Sequence, residues 1–397
     1  MATPSPLKKA LRGLGSLHLT VYLLLFSLFL VFFGTLDQVR IGIREAQQLY
    51  FESFLVVWRY PEFWALGDIL KWIPIPLPGG YLLGPLLFVN LLLSHIRHFR
   101  KSWKFYGISF IHAGILTLLF GQLITNLFQK EDYMWLDEGA KSNFVRSFRE
   151  DELYIAKENP DGTRGIYSVP YEDLEAGQVL QPPAFPFEVH VREVFGNAEI
   201  RPAQGEEELP THGVSRGIGA QFGLGVRAIP SFYSDSRRDV RTAVLEIVQD
   251  GQSRGTWLVS NVFEERFPEQ TLSLGGDRYA LGMRYKRTYL PFTVTLLDFN
   301  HDRYPGTNIP SNFSSRVHIE HINGEEKDVM IFMNNPLRYE GFTFFQASFA
   351  KQDTASMFQV VRNPGWLLPY IACTLVTIGL VWQFTVVGHR MVRRINR

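Results

Sequence analysis

FYGISFIHAGILTLLFGQLITNLF, residues 105–128, decides what kind of chain this is. A hydrocarbon core of roughly 30 Å needs about 20 apolar residues of helix to cross it. This run contains no Asp, Glu, Lys or Arg, and its strongly polar members are His112, Gln122 and Asn126. Working outward, Gly79–Ile96 is a second apolar stretch, joined to the first by a tight connection carrying Arg97, Arg100, Lys101 and Lys104. Leu17–Leu36 is free of charge, and Trp366–Val387 completes a set of four. Leu17–Leu36 is too long for a signal-peptide h-region and lacks a small-x-small cleavage site after it, so it reads as a retained anchor.

Lysine and arginine excess marks the cytoplasmic side of short flanks. Lys8, Lys9 and Arg12 precede the first span, the basic connection 97–104 joins the second and third, and Arg390, Arg393, Arg394 and Arg397 follow the fourth. If all four runs span, these flanks share one side, and all are basic. The expected protein is therefore a polytopic α-helical membrane protein with four transmembrane helices, three before and one after a large extracytoplasmic domain. Its segments are 1–16 (cytoplasmic), 17–36, 37–78 (external loop), 79–96, 97–104, 105–128, 129–364 (external domain), 366–387 and 388–397 (cytoplasmic tail).

In the external loop, Ile43, Ala46, Tyr50, Phe54 and Val57 recur at helical spacing, which predicts an amphipathic helix on the membrane surface or packed on the large domain. Trp58, Tyr60, Phe63, Trp64 and Trp72 follow, rings that favour the headgroup region. From 129 to 364 the pattern alternates in short runs, as in Phe187–Val191, Val244–Val248, Phe292–Leu296 and Phe342–Phe345, between turn residues. That predicts a β-rich domain, a β-sandwich or open barrel in one lobe or two. Phe185-Pro186-Phe187-Glu188-Val189-His190-Val191 echoes Leu290-Pro291-Phe292-Thr293-Val294-Thr295-Leu296, consistent with two lobes.

A net charge of +1 gives no basic face for nucleic acid. The single cysteine, Cys373, lies in an apolar run and leaves no partner for an internal disulfide, a CxxC redox pair or a CxxCH haem attachment. No nucleophile elbow or HExxH appears. His190, His212, His301, His318 and His321 read as ordinary surface or hydrogen-bonded histidines, and the odd spacing of His318 and His321 puts them on opposite faces of a strand. His112 differs. It follows Lys104 by eight residues, roughly 12 Å along a helix at 1.5 Å per residue. An ionisable group at that depth usually faces a bundle interior or a functional pathway. A neutral imidazole is also a good iron ligand, and Ala113 and Gly114 beside it admit a flat cofactor or a neighbouring helix. An interhelical hydrogen bond is the alternative. His95, His98 and His389 at the basic ends of spans two and four, with His18 at the start of span one, suit anionic lipid headgroups or haem propionates.

Four stretches carry a resemblance to the ResB (CcsB) family of cytochrome c biogenesis proteins. Gly34-Thr35-Leu36-Asp37-Gln38 with Tyr50-Phe51 resembles the family's exit from its first span, and His112-Ala113-Gly114 its histidine-bearing helix. Leu290–Val294, Asp298-Phe299 and Ser315-Arg316-Val317 resemble its central strand block. Asn335-Pro336-Leu337-Arg338-Tyr339-Glu340-Gly341-Phe342-Thr343-Phe344-Phe345-Gln346-Ala347-Ser348-Phe349 matches its most characteristic element. The resemblance implies a subunit, non-catalytic or co-catalytic, of a haem lyase (holocytochrome c synthase) complex in the bacterial inner membrane. With a CcsA-type partner it would carry haem b, held non-covalently, outward and present it to apocytochrome c. His112 would be an axial ligand to haem iron opposite a histidine of the partner. None of the eight tryptophans lies within two residues of another, so the partner's tryptophan-rich motif is expected in trans. The competing readings are an envelope β-domain scaffold without haem and a transport permease subunit, though the latter usually orders its spans the other way.

Overall fold

The computed structural model describes residues 5–60, 69, 72–99, 101–183, 185–204, 208–231, 238–306, 310–350 and 355–395. It divides into a helical unit, Met1–Gln129 with Asn363–Arg397, and a β unit, Lys130–Phe232 with Arg237–Arg362. The longer helices of the first unit are α1 (Pro6–Leu14), α2 (Leu17–Ile41), α3 (Gly80–His98), α4 (Tyr106–Phe128) and α5 (Leu368–Ile395). All but α1 are long and apolar enough to cross a membrane. Ser16 caps α2, its hydroxyl accepting from the Leu19 N–H at 3.3 Å. Both α2 and α5 run beyond their apolar stretches, α2 to a stop at Gly42 with φ +89° and α5 through its basic end.

Helices α4 and α5 pack antiparallel along two seven-residue repeats of small or β-branched residues. Gly107, Gly114 and Gly121 are the buried positions of α4, and Ala372, Gly379 and Val386 those of α5. A Cβ on Gly107 would lie 2.8 Å from the Gly379 carbonyl oxygen, and one on Gly379 would lie 2.7 Å from that of Gly107. The backbones themselves therefore touch, a geometry that only glycine permits. The small residue beside His112 thus serves a neighbouring helix.

Between α2 and α3 the expected helical stripe stops early. A short helix, Ile43–Ala46, widens into a π turn, Gln47–Phe51, and Leu55–Arg59 is a strand (β1) paired antiparallel with Pro74–Pro78 (β2). The reason is local. Leu55-Val56-Val57-Trp58-Arg59 buries alternate residues, Val56 and Trp58, and β-branched and aromatic residues suit a strand at that period. The three prolines of β2 are tolerated because a two-stranded ribbon uses the N–H of only every other residue. Trp58 is consequently a core residue, 5% exposed and 4.5 Å from the ring of Phe33, not a headgroup ring. Phe63 and Trp64 lie outside the described residues.

The β unit holds β3 (Lys130–Asp137), β4 (Lys141–Glu158), β5 (Arg164–Pro170), β6 (Val179–Leu180), β7 (Glu188–Phe195), β8 (Ala198–Pro202) and β9 (Leu224–Ala228). It continues with β10 (Thr242–Gln249), β11 (Gln252–Ser260), β12 (Gln270–Leu274), β13 (Asp277–Arg303) and β14 (Pro310–His321). The last are β15 (Glu326–Phe332), β16 (Leu337–Tyr339), β17 (Phe342–Ala350) and β18 (Ala355–Arg362). Hairpin turns at Asp250-Gly251, Gly275-Gly276 and Glu340-Gly341 have positive φ at both central residues, the geometry that matches strand twist.

Two lobes share the long strands β4 and β13. In the first, the sheet β11-β10-β7-β6 covers the later half of β4 and the earlier half of β13 around Ile155, Val189, Val191, Leu245, Ile247 and Leu281. In the second, the order β15-β14-β13-β4-β3-β18-β17-β16 curls around Phe292, Val294, Leu296, Val317, Phe344 and Phe358. A tight turn binding Phe332 to Asn335 makes its two edge strands neighbours, so this sheet is a nearly closed barrel. The two echoing segments lie in different lobes, in β7 with its approach and in β13. The unit's first and last residues, Lys130 and Arg362, sit opposite one another in the β3–β18 ladder.

Where β4 passes between lobes it carries Asp151 and Glu152, 0% and 4% exposed. Arg238 and Asn261 hydrogen-bond Asp151, and Arg241 stands 3.6 Å from it. Burial pushes the Asp151 carboxyl above its ordinary pKa, against the opposing pull of Arg238, Asn261 and Arg241. Arg284, 3% exposed, donates to Glu152 at 2.8 Å and lies 4.1 Å over the Tyr154 ring.

Candidate functional site

An antiparallel helical pair joined by a short connection brings together residues near its two joined ends. His95 is three residues from the end of α3, and His112 is in the second turn of α4. Their ring centroids are 5.9 Å apart with an interplanar angle of 67°. His95 is half-buried and also meets Phe99 at 6.0 Å, whereas His112 is exposed on the outer surface of α4. That exposure follows from the helical period. Position 112 is two residues, about 200°, from Gly114, so it faces away from α5 while the glycine row faces toward it. The imidazole pair lies on the side of α4 left free by the glycine interlock.

The connection between the helices is itself fastened. Trp103 and Trp382 have ring centroids 4.0 Å apart, and the Trp382 indole N–H donates to the Trp103 carbonyl at 2.8 Å. Arg97, Lys101 and Lys104 are exposed around it. His18 and His389 are also exposed; the His98 side chain lies outside the described residues. The buried Asn90 of α3 binds the start of α2, donating to the carbonyls of Leu14 at 2.6 Å and Ser16 at 3.1 Å and accepting from Thr20 at 2.6 Å. It fixes α3 relative to α2, and a second polar anchor ties the π turn Gln47–Phe51 to α2.

The second anchor explains the Gly34…Tyr50 stretch. Tyr50, 0% exposed, packs its ring 3.4 Å from where a Gly34 side chain would begin and donates to Asp37 at 2.6 Å. Burial, then the bond to Asp37, holds the Tyr50 phenol far above its ordinary pKa.

The donor set of the pair is two imidazoles in an apolar setting. Among the described residues no group of three or more His, Cys, Asp or Glu side chains is placed to hold a metal ion. Two nitrogens are few for a bare transition-metal ion, but they suit haem, whose iron takes only its axial ligands from protein.

The β-unit histidines have other partners. His190 pairs with Glu188 at 3.1 Å, His212 with Glu193 at 2.6 Å, and His318 with Asp328 at 2.7 Å. His301 stacks on Phe313 at 4.6 Å, and His321 accepts the Asn323 N–H at 3.2 Å.

The Asn335–Phe349 stretch builds the closing edge of the barrel-like lobe. Leu337 and Phe344 enter its core, and Glu340-Gly341 make the turn between them. Gln346, at a bulge in β17, accepts from the Ser315 hydroxyl at 2.7 Å and donates to the Ser356 hydroxyl at 2.9 Å. Both serines are fully buried. Gln346→Leu should cost about 1–3 kcal/mol, because both hydroxyls lose their amide partner. A thermal melt of the variant checks this, and an unchanged melting temperature would count against the role.

A model of the ResB-like family matches residues 247–357, from within β10 to within β18. Protein NrfI of Wolinella succinogenes is 31% identical over 118 residues, which are 29% of this chain and 13% of that protein. The family match thus falls within the β unit, and the histidine pair lies outside it.

Proposed function

We infer, for a chain that belongs to the ResB-like family, that it is a membrane subunit of a cytochrome c maturation complex which conducts haem outward and presents it to apocytochrome c. The observation that carries this reading is the family match over residues 247–357 in a chain with four bilayer-length apolar helices. The basic ends of those helices lie inside, which sets the β unit outside, where cytochromes c receive haem. His112 supports the reading because it presents an imidazole on an outward helix face, where a multispan partner of CcsA type could close over it.

In this scheme the chain's residues bind and orient rather than cleave. His112 donates its imidazole nitrogen to haem iron, and exposed Arg97, Lys101 and Lys104 offer charge to the propionates near the entry side. The glycine interlock of α4 with α5 holds the helix that carries His112. The β unit supplies the surface near which the apocytochrome's cysteines meet the vinyl groups.

The test is absorbance of the purified chain, alone and co-purified with its partner. A Soret band is expected that weakens at least several-fold on His112→Ala and returns with added imidazole. A colourless complex, together with normal cytochromes c in a strain lacking the chain, would overturn the reading.

A further inference from the structure

We propose that α1 is a surface anchor of the cytoplasmic leaflet, its leucines sunk among the lipid tails and its basic side chains held at anionic lipid headgroups. The sequence prepares this residue by residue. Pro6 opens the helix where a missing N–H costs nothing, and Gly15 ends it. At about 100° per residue, Leu7, Leu11 and Leu14 share one face with Ala10, while Lys9 and Arg12 fall on the opposite face. Leu7 and Leu11 are 69% and 43% exposed, so the described residues leave much of that apolar face uncovered. A helix divided in this way lies in the plane of the membrane interface, its apolar side reaching roughly 5–10 Å into the boundary of headgroups and tails.

Connectivity and charge select the occupant of that face. Only Gly15 and Ser16 separate α1 from α2, so a bilayer-crossing α2 delivers α1 to the level of the headgroups. The corner between them is clamped. The Asn90 side chain donates to the carbonyls of Leu14 at 2.6 Å and Ser16 at 3.1 Å, one on each side of Gly15. A Cβ on Gly15 would lie 3.1 Å from that of Leu93, so the corner rests directly on α3, which holds α1 at a set angle to α2. Residues 1–36 contain no Asp or Glu, and neither do 97–104 or 388–397, the other flanks on the same side. A surface with cations and no anions is complementary to acidic lipid, where each basic side chain strengthens attachment about five-fold. The inference shares with the functional reading the crossing of the bilayer by α2, and it does not depend on haem.

The experiment uses the full chain, carrying Cys373→Ser, in nanodiscs of mixed phosphatidylcholine and phosphatidylglycerol. A nitroxide is attached at one introduced cysteine at a time, Leu11→Cys, Lys9→Cys or Phe26→Cys, the last within α2. Oxygen, which partitions into lipid, should relax the labels at 11 and 26 most, and a water-soluble nickel chelate the label at 9. Mass spectrometry of the lipid that survives detergent extraction gives a second reading. Retention of phosphatidylglycerol over phosphatidylcholine should fall at least about five-fold when Lys8→Gln, Lys9→Gln and Arg12→Gln are combined. Glutamine matches lysine and arginine in helix propensity, so α1 itself is preserved. Labels at 9 and 11 equally open to nickel, with the label at 26 protected, would overturn the surface anchor and leave the four-span frame standing. A label at 26 open to nickel would overturn both. Lipid retention unchanged in the triple variant would overturn the headgroup contact.

Discussion

Gly114→Leu should leave little folded protein, because it drives a side chain into the backbone of the last helix. An added Cβ at 114 would stand 2.6 Å from a Val376 methyl and 2.8 Å from the Ala372 carbonyl oxygen. Overpacking a core typically costs 1–3 kcal/mol, and here part of the obstruction is main chain, which cannot rotate away. A cost of about 3 kcal/mol or more is therefore expected. Lipid adds no hydrophobic drive to re-form the contact, since tails are as apolar as leucine. Gly84→Leu is the control, because nothing lies within 4 Å of a Cβ there. Thermal unfolding in detergent should show a large loss for Gly114→Leu and little change for Gly84→Leu. Equal melting temperatures would refute the close approach of α4 and α5.

The second large effect is expected at the waist of the β unit. Glu152→Gln should destabilise by about 3–5 kcal/mol, since it leaves the Arg284 guanidinium buried without its counter-charge. The two side chains are 5% and 4% exposed and 2.8 Å apart, so water cannot take the carboxylate's place. Glu152→Leu combined with Arg284→Met should recover most of the loss, as removal of both charges of a buried pair is often neutral or stabilising. Denaturant unfolding of the single and double variants decides it. A double variant no better than the single would mean that the pair does more than neutralise itself.

The sequence patterns reached some of this architecture and missed the rest for identifiable reasons. The apolar helices were legible because length and the absence of charge are enough to mark them. The β character of 129–364 was legible from alternation, but not the sharing of β4 and β13 between lobes, since a strand that crosses from one core to another looks like two short ones. Residues 43–57 misled because Ile43, Ala46, Tyr50, Phe54 and Val57 keep helical spacing while Leu55–Arg59 keeps strand spacing, and the pairing with Pro74–Pro78 decides between them. His112 stood out by its depth. His95, which sits at the basic end of span two, reads from sequence as a histidine for lipid headgroups or haem propionates, and the fold sets it against His112. Gly114 was read correctly as a site of close approach, but which of two guests it admits was settled by α5.

Lys130 and Arg362 face each other across one ladder, and within the helical unit Asn363 donates to Gln129 at 3.0 Å and to Thr125 at 3.1 Å. The chain thus leaves the helices and returns to them through a single doorway. An insert whose two ends meet imposes almost no closure entropy on its host, whatever its length. The β unit is in that sense a cassette: it can lengthen, shorten or be exchanged in evolution while the helices that carry the imidazoles keep their register.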